Sequence, residues 1–552
     1  MHNDNIRDNV QYEYYVGELV ERENKVNTEM GNLQSETETI REVAAEESLT
    51  TTWNGAKSYA TVNNPLVELF FKSVRNIPCT DYRCIKVKKG KNEIEDSSVS
   101  DESKTLEHYF NLAWDSDPLR TLKFVFYLRD CRGGKGEKKL FRALVRHMRE
   151  RGLSHHLEAN LNLIPFYGSW KDVPICFFGT ALEEQAITLI ADQLRKDIST
   201  ERPSLCAKYA PSEGGAIDKK HHAAYKIASK LGATPTRYRK HYLVPLRSKL
   251  NIVERDMCSN NWSEIEYEKV ASIAGSRYKA AFNCHDEQRY KEYLAGVQRG
   301  EKKMNTSVLM PYQIVSPYLD SSPRDETIEA QWTAFLADRR AKWPGDVNVL
   351  PLIDVSGSMF SHIKPSPCDV SVSLGIVFSL LNSSEQYRGK FITFSSTPEL
   401  LSISTTGDSL HEQVNYIKGT NWGGNTDFQK VFDLILNVAT TFRIPQEQMP
   451  QILLVLSDMQ FDSADSSSNW ESIGRKYKEA GYRRPTIIFW NLNGRSSDYP
   501  IPSYDVPDCA LLSGFNDNIM YSLLDGTIPS PLEIVHNALD NDRYGAVRLA
   551  TE

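Results

Sequence analysis

At 552 residues the chain is too long for one hydrophobic core, so two or three domains are expected. Its 40% hydrophobic and 25% charged residues are ordinary for a globular protein, and runs such as LVELFF and TIIFW fall far below the about 18 apolar residues of a membrane span. The net charge of −7 hides a partition of −8 over residues 1–53, +13 over 118–250 and −10 over 346–552, so a polyanionic partner is expected of one region only.

Residues 1–55 are acidic, poor in large apolar side chains and expected to form a disordered tail. The opening MHNDNIRDNVQYEYY has no apolar stretch of the secretory kind, and the nine cysteines include no CxxC pair. Both point to reduced thiols in a protein of the cytoplasm, with the nucleus as a second compartment, rather than a secreted one. Cys79 and Cys84, the closest pair, read as packing residues, because no second Cys/His pair lies nearby.

Residues 56–345 read as a helical domain with a polar insertion at 88–104. Leu119, Leu122, Val125, Phe126 and Leu128 form one apolar stripe, and Leu140, Leu144, Val145 and Met148 another. Further helices are expected at 181–198, 219–231, 238–251, 263–274, 287–299 and 326–341. Between them lie the breakers RGGKG, PFYGSW, PSEGG, LGATP and VLMPYQIVSP. Helices with short connections imply a HEAT-like helical repeat. After KWPGD, residues 346–545 alternate β-branched runs (VNVLPLID, KFITFS, ELLSIS, QILLVLSD, PTIIFWNL) with helical patterns at 369–382, 427–442 and 469–480. That alternation predicts a doubly wound α/β domain, whose ligands bind at the carboxyl ends of the strands.

Asp354, Ser356 and Ser358 follow the first of those strands as DxSxS, three short oxygen donors on one turn. A hard divalent cation takes oxygen ligands and keeps several waters. GGNTDF adds Thr426 beside Asp427, with Gly423 and Gly424 lending the loop freedom, and LVLSDMQFD adds Asp458 at a later strand end. Together Asp354, Ser356, Ser358, Thr426 and Asp458 resemble the metal-ion-dependent adhesion site of von Willebrand factor A domains. The resemblance implies Mg2+ or Mn2+ held directly by Ser356, Ser358 and Thr426 and partly through waters by Asp354 and Asp458, with one position left for a partner's carboxylate. His362 is a lone loop histidine, and no HExxH or acid/base pair accompanies the site, so binding rather than catalysis is expected.

The segment LRTLKFVFYLRDCRGGKGEKKLFRALVRHMRERG joins two helical patterns at a glycine-rich turn. It lacks the GxxxxGK[ST] spacing of a nucleotide-binding loop. Arg129, Arg132, Lys135, Lys138, Lys139, Arg142 and Arg146 crowd the junction, where helix-start amides and cations suit phosphate oxygens. Arg237, Arg239 and Lys240 continue the excess, with Tyr225, Tyr238 and Tyr242 interleaved as single-stranded nucleic acid binding would need.

FYLRDCRGGKGEKKLF, LIPFYGSWKD and LCAKYAPSE resemble the TROVE module of telomerase-associated, Ro and vault proteins. YGSWKD, KYAPSE, RYRKHYLVPLRSKLNIVERDMCSNNWSEIEY, RYKAAF and DEQRYKEYLAGVQRGEKK are similar to a large Ro-like family of plants, fungi and giant viruses that also ends in a von Willebrand A domain. The resemblance implies a ring of HEAT-like repeats, single-stranded or misfolded RNA in its hole, and structured small RNA on its basic surface. It places Arg129, Arg132, Lys135, Lys138 and Arg142 on the basic motif. Lys171 falls on a lysine of the Ro pattern, and Trp170 stands where that pattern has a histidine. The expected protein is a monomeric, non-enzymatic, membrane-free ribonucleoprotein component that binds RNA and captures an acidic partner through its metal. The alternative is a protein-interaction scaffold acting through the metal alone.

Overall fold

The computed structural model describes residues 48–52, 54–75, 77–79, 87–89, 92–94, 104–250, 252–343, 347–360, 364–394, 398–403, 408–420, 428–462, 469–495, 498–521 and 530–551. The chain folds as a helical array followed by an α/β unit, as the sequence patterns require. Helices α1 (Pro65–Lys72), α2 (Leu106–Ser116), α3 (Pro118–Arg129) and α4 (Lys138–Glu150) pack successively on one another. Asn64, Thr105 and Asp117 cap α1, α2 and α3 with side-chain oxygens, and proline opens α1 and α3. The α4 stripe of Leu140, Leu144, Val145 and Met148 is buried as its spacing predicts. Later helices are α5 (Glu183–Ile198), α6 (Ala223–Lys230), α7 (Ser272–His285), α8 (Glu287–Gln298), α9 (Pro311–Leu319) and α10 (Glu326–Arg340).

Several boundaries differ from expectation. The helix read over 219–231 is broken at His222, whose left-handed backbone (φ 53°) separates Ala216–His221 from α6. The helix read over 238–251 begins as a π-helical turn, Tyr238–Leu243. The one read over 263–274 is replaced by two 3-10 turns, Trp262–Glu264 and Tyr267–Lys269, ahead of α7. VLMPYQIVSP, read as a breaker, holds α9: Pro311 sits in the first turn, where its missing N–H costs nothing, and Pro317 is accommodated inside. The polar insertion carries a short hairpin of β3 (Val87–Lys89) with β4 (Asn92–Ile94). Another hairpin, β1 (Leu49–Thr51) with β2 (Lys57–Tyr59), spans the point where the acidic tail was expected to end.

The α/β unit holds β5 (Val349–Ile353), α11 (Pro367–Leu381), β6 (Lys390–Thr393), β7 (Leu400–Ser402), α12 (Leu410–Gly419), α13 (Phe428–Phe442), β8 (Ile452–Ser457), α14 (Asn469–Glu479), β9 (Thr486–Asn491), β10 (Cys509–Ser513) and α15 (Pro531–Asp540). The sheet order is β10-β9-β8-β5-β6-β7, parallel throughout except for the antiparallel edge strand β7. Central strands β5 and β8 are buried at every residue, as a sheet covered on both faces demands.

One contiguous apolar core runs through both parts, and a smaller one gathers Tyr267, Phe282, Tyr290 and Tyr293. The seam between the parts is unusually polar. Lys135 is fully buried; its ammonium donates to the carbonyls of Phe70 and Ser73 at the end of α1 and to Ser513 Oγ at the end of β10, at 2.6 Å. Arg339 pairs with Asp517, both fully buried. Arg543, with the Tyr544 hydroxyl at 3.0 Å, closes on Asp130. Asn160 brackets Arg548, donating to its carbonyl at 2.6 Å and accepting from its amide at 3.1 Å.

A buried pair is costly to break from one side, because the remaining charge stays in the protein interior. Replacing Arg339 by Met, which strips Asp517 of its cation, is expected to cost about 3–5 kcal/mol. Urea denaturation of the full chain measures it.

Candidate functional site: a carboxylate pair at the strand ends and a divided cationic surface

The β5 strand delivers Asp354 to its carboxyl end, where the amide donates to Leu456 O and Ser371 Oγ, each at 3.1 Å. Helix α11 seats closely over β5 because residue 375 is glycine; a Cβ there would lie 2.3 Å from Ile353 Cδ1. This fixes the start of the DxSxS turn. Asp354 Oδ1 accepts from the Ser356 amide at 2.9 Å, and Oδ2 accepts from Ser457 Oγ. The Ser356 and Ser358 hydroxyls stand 3.2 Å apart. From β8, Asp458 arrives almost fully buried, with Oδ1 accepting from the Gln460 amide at 3.2 Å and Ser358 hydrogen-bonded to its carboxyl.

The two carboxylates are close enough to feel each other. Burial, and then the charge of Asp354, push the Asp458 carboxyl up to about 7. Burial also raises Asp354 against its hydrogen bonds, with Asp462 adding repulsion. No cation is among the described partners of either. Two buried acids with hydroxyls beside them and no positive charge among their described partners form an all-oxygen donor set that fits a hard divalent ion. Among the described residues no group of three His, Cys, Asp or Glu side chains is placed to hold a metal; the donors here are two carboxylates and two serines. Thr426, Asp427, Gly423, Gly424 and His362 lie outside the described residues. Ser457, Ser371 and Asp462, which shape this pocket, were not singled out from the sequence, since only the packed strand ends bring them together.

The expected RNA-binding residues divide into two groups. Lys135 is a correction: it is sealed in the seam and cannot present its charge to a phosphate. Arg129 is nearly as buried, and with Arg142 it clasps Asp172, Arg129 on Oδ2 at 2.7 Å and Arg142 on Oδ1 at 2.5 Å. Asp172 was not singled out from the sequence. Arg132, Lys138, Lys139 and Lys171 are exposed, and Trp170 is half-buried. Farther along the chain, Lys219, Lys220, Arg237, Arg239 and Lys240 are exposed and make no ion pair among the described residues. Asp218 makes no ion pair with them among the described residues; its carboxylate accepts from the amides of Gly214 and Ala224, each at 2.8 Å. Tyr225 is 65% exposed beside them, but Tyr238 is buried and hydrogen-bonded to Pro211 O, so it offers no stacking face. Lys226 and Lys230 are paired with Glu183 and Glu184.

The model of a domain of unknown function, DUF2828, matches residues 52–174 and 176–342, and that of a second, DUF7788, matches residues 348–545. An uncharacterized protein of Acanthamoeba polyphaga mimivirus is 30% identical over 545 residues, covering 89% of this chain and 87% of that one. The chain belongs to the DUF2828 family. Among solved structures, the Ro (RSR) protein of Deinococcus radiodurans aligns with a TM-score of 0.38 and 13% identity over 87% of this chain and 100% of that one. No helix among the described residues is long and apolar enough to cross a membrane.

The raised Asp458 carboxyl has a signed consequence for the metal-free protein. Its folded-state value of about 7 lies above 3.8, so the folded state binds more protons between them. Its contribution to stability is complete below about 3.8 and is lost as pH rises through 7. Melting in EDTA is therefore expected to decline more steeply over this window for the native chain than for Asp458→Asn, and added Mg2+ is expected to raise the melting temperature more at pH 8 than at pH 5.

Proposed function

We propose that this chain is a non-catalytic RNA-binding protein. Its helical part grips phosphates, and its α/β part, a von Willebrand A-like domain, holds Mg2+ or Mn2+ and captures a partner's acidic side chain. The observation that carries the first half is the set of five exposed cations, Lys219, Lys220, Arg237, Arg239 and Lys240, which make no ion pair among the described residues of a chain whose net charge is −7. Exposed cations without acid partners are free to displace counterions from a polyanion, and the exposed Tyr225 ring adds a stacking face. The π-helical turn at Tyr238–Leu243, a geometry that recurs at functional sites, carries two of those cations. The motif resemblance to TROVE modules favours RNA among polyanions.

The second half rests on the buried Asp354 and Asp458 pair, which calls for a cation, and on the exposed Ser358 at its mouth. When bound, the ion would supply a Lewis-acidic position for a carboxylate. Asp354, Ser356, Ser358 and Asp458 would hold it, while Ser457 and Ser371 orient the Asp354 loop. The same pair supports the scaffold reading, in which the metal site acts without RNA.

Fluorescence anisotropy of the full chain with a labelled single-stranded RNA, across salt, separates these readings. Reversing Arg237, Arg239 and Lys240 to Glu is expected to weaken binding at least about tenfold and to lower the salt slope by about 2, since each phosphate contact on a single strand contributes about 0.7. Unchanged affinity would sink the RNA half. Asp354→Asn is expected to leave RNA affinity intact and to abolish the Mg2+-dependent rise in melting temperature.

A further inference from the structure

The turn between β1 and β2 is seated on the loop that leaves β8. Thr52 Oγ1 donates to the Phe461 carbonyl at 2.6 Å across 409 residues of chain, and Asn54 Nδ2 donates to the Gln460 carbonyl at 2.9 Å. Gly55 forms an antiparallel bridge with Asp462, and farther along Tyr59 and Tyr499 exchange both backbone hydrogen bonds, at 3.0 and 2.8 Å. The Thr52 hydroxyl also accepts from the Ala56 amide at 3.0 Å, so one oxygen closes the turn and ties it to the loop. Thr52, Ala56 and Tyr59 are buried there. An isolated two-stranded hairpin is marginally stable at best in water, and each strand here has three residues, so the order of the hairpin depends on this seat.

The seat is made of the residues that follow Asp458 directly. Gln460 receives Asn54 on its carbonyl and donates its amide to Asp458 Oδ1 at 3.2 Å, so the hairpin and the carboxylate grip the two sides of one residue. Met459, between them, holds a left-handed backbone at φ 67°, a conformation unfavourable for a residue with a side chain. Its amide donates to Ser457 Oγ at 3.0 Å, and that hydroxyl donates to Asp354 Oδ2. Hydrogen bonds and peptide links therefore connect both acids of the site to Thr52 and Asn54. A shift of residues 458–462 that loosens the hairpin also moves the carboxylates.

We propose that the β1–β2 hairpin is a clip on the metal site: docked, it holds residues 458–462 in the shape that presents Asp458, and a divalent ion on Asp354 and Asp458 in turn holds the hairpin down. Thr52 and Asn54 are positioning residues, acting through the loop rather than as donors to the ion. The clip presupposes the ion proposed for that site and adds its regulation. Coupling of this kind is reciprocal, so the factor by which the docked hairpin raises ion affinity is the factor by which the ion favours docking.

Isothermal titration calorimetry of the full chain with Mg2+, and hydrogen exchange of peptides covering the hairpin, test the two directions of the coupling. Thr52→Val removes the hydroxyl and keeps the size, while Asn54→Ala, at an exposed position, is the milder change. Each is expected to weaken Mg2+ binding at least about fivefold, the lower end of coupling between linked sites. Thr52→Ser, which keeps the donor, is expected to restore it. In the native chain Mg2+ is expected to slow exchange in the hairpin at least about fivefold relative to α4, and Asp354→Asn is expected to remove that protection. Equal Mg2+ affinity in the native, Thr52→Val and Asn54→Ala chains, or Mg2+ that binds without protecting the hairpin, overturns the clip and leaves the metal site standing. A native chain that binds no Mg2+ overturns both, so the two failures are told apart.

Discussion

The buried ammonium of Lys135 is the interaction on which the rest of the architecture turns. It reaches from the glycine-rich turn before α4, caps the last carbonyls of α1, and ends on Ser513 at the edge of the parallel sheet. Burial presses its pKa well down, so its three hydrogen-bond acceptors must compensate for lost hydration. The glycines beside it are required by the same closeness. A Cβ on Gly134 would fall 2.0 Å from the Tyr127 carbonyl, and Gly136 holds a left-handed backbone at φ 71°. With Arg339–Asp517 and Arg543–Asp130 on either side, this seam joins the helical array to the α/β unit through one continuous core. A fragment ending near residue 343 would therefore expose Lys135, Arg339 and Asp130 together with their apolar surroundings.

That seam also sorts the cations. The excess of +13 over residues 118–250 is one number in the sequence but three populations in space. Lys135 is spent on joining the two parts, while Arg129 and Arg142 are held by Asp172. Lys219, Lys220, Arg237, Arg239 and Lys240 stand exposed and without an ion pair among the described residues, and only a population of that kind can exchange counterions with a polyanion. In the α/β unit the logic is inverted. Asp354 and Asp458 are acids without a cation among the described residues, at the strand ends where doubly wound sheets place their ligands.

Much of the fold was legible because its signals are local. The 3.6-residue stripe of Leu140, Leu144, Val145 and Met148 and the β-branched runs ending in Asp354 and Asp458 report their own burial. Strand β10 escaped because CALLS contains no β-branched residue and is recognised only by its pairing with β9. Helix α9 was hidden by prolines that a first turn tolerates. In the candidate sites the residue types were readable and their partners were not. Lys135 looked like any other cation of its turn until Ser513, 378 residues away, was placed against it, and Asp172 was invisible as the clasp of Arg129 for the same reason. The DxSxS turn was the easier case, because its serine and aspartate bond to each other within two residues.

The central claim is that the exposed cations after residue 216, and not the buried lysine of the glycine-rich turn, meet the RNA. Ultraviolet crosslinking of the full chain to a single-stranded RNA, followed by mass spectrometry of the adducted peptides, tests it most directly. Adducts concentrated on peptides covering residues 219–243, with Tyr225 among the modified positions, are the predicted result. Adducts concentrated on residues 133–137 around Lys135, with none on 219–243, would contradict it.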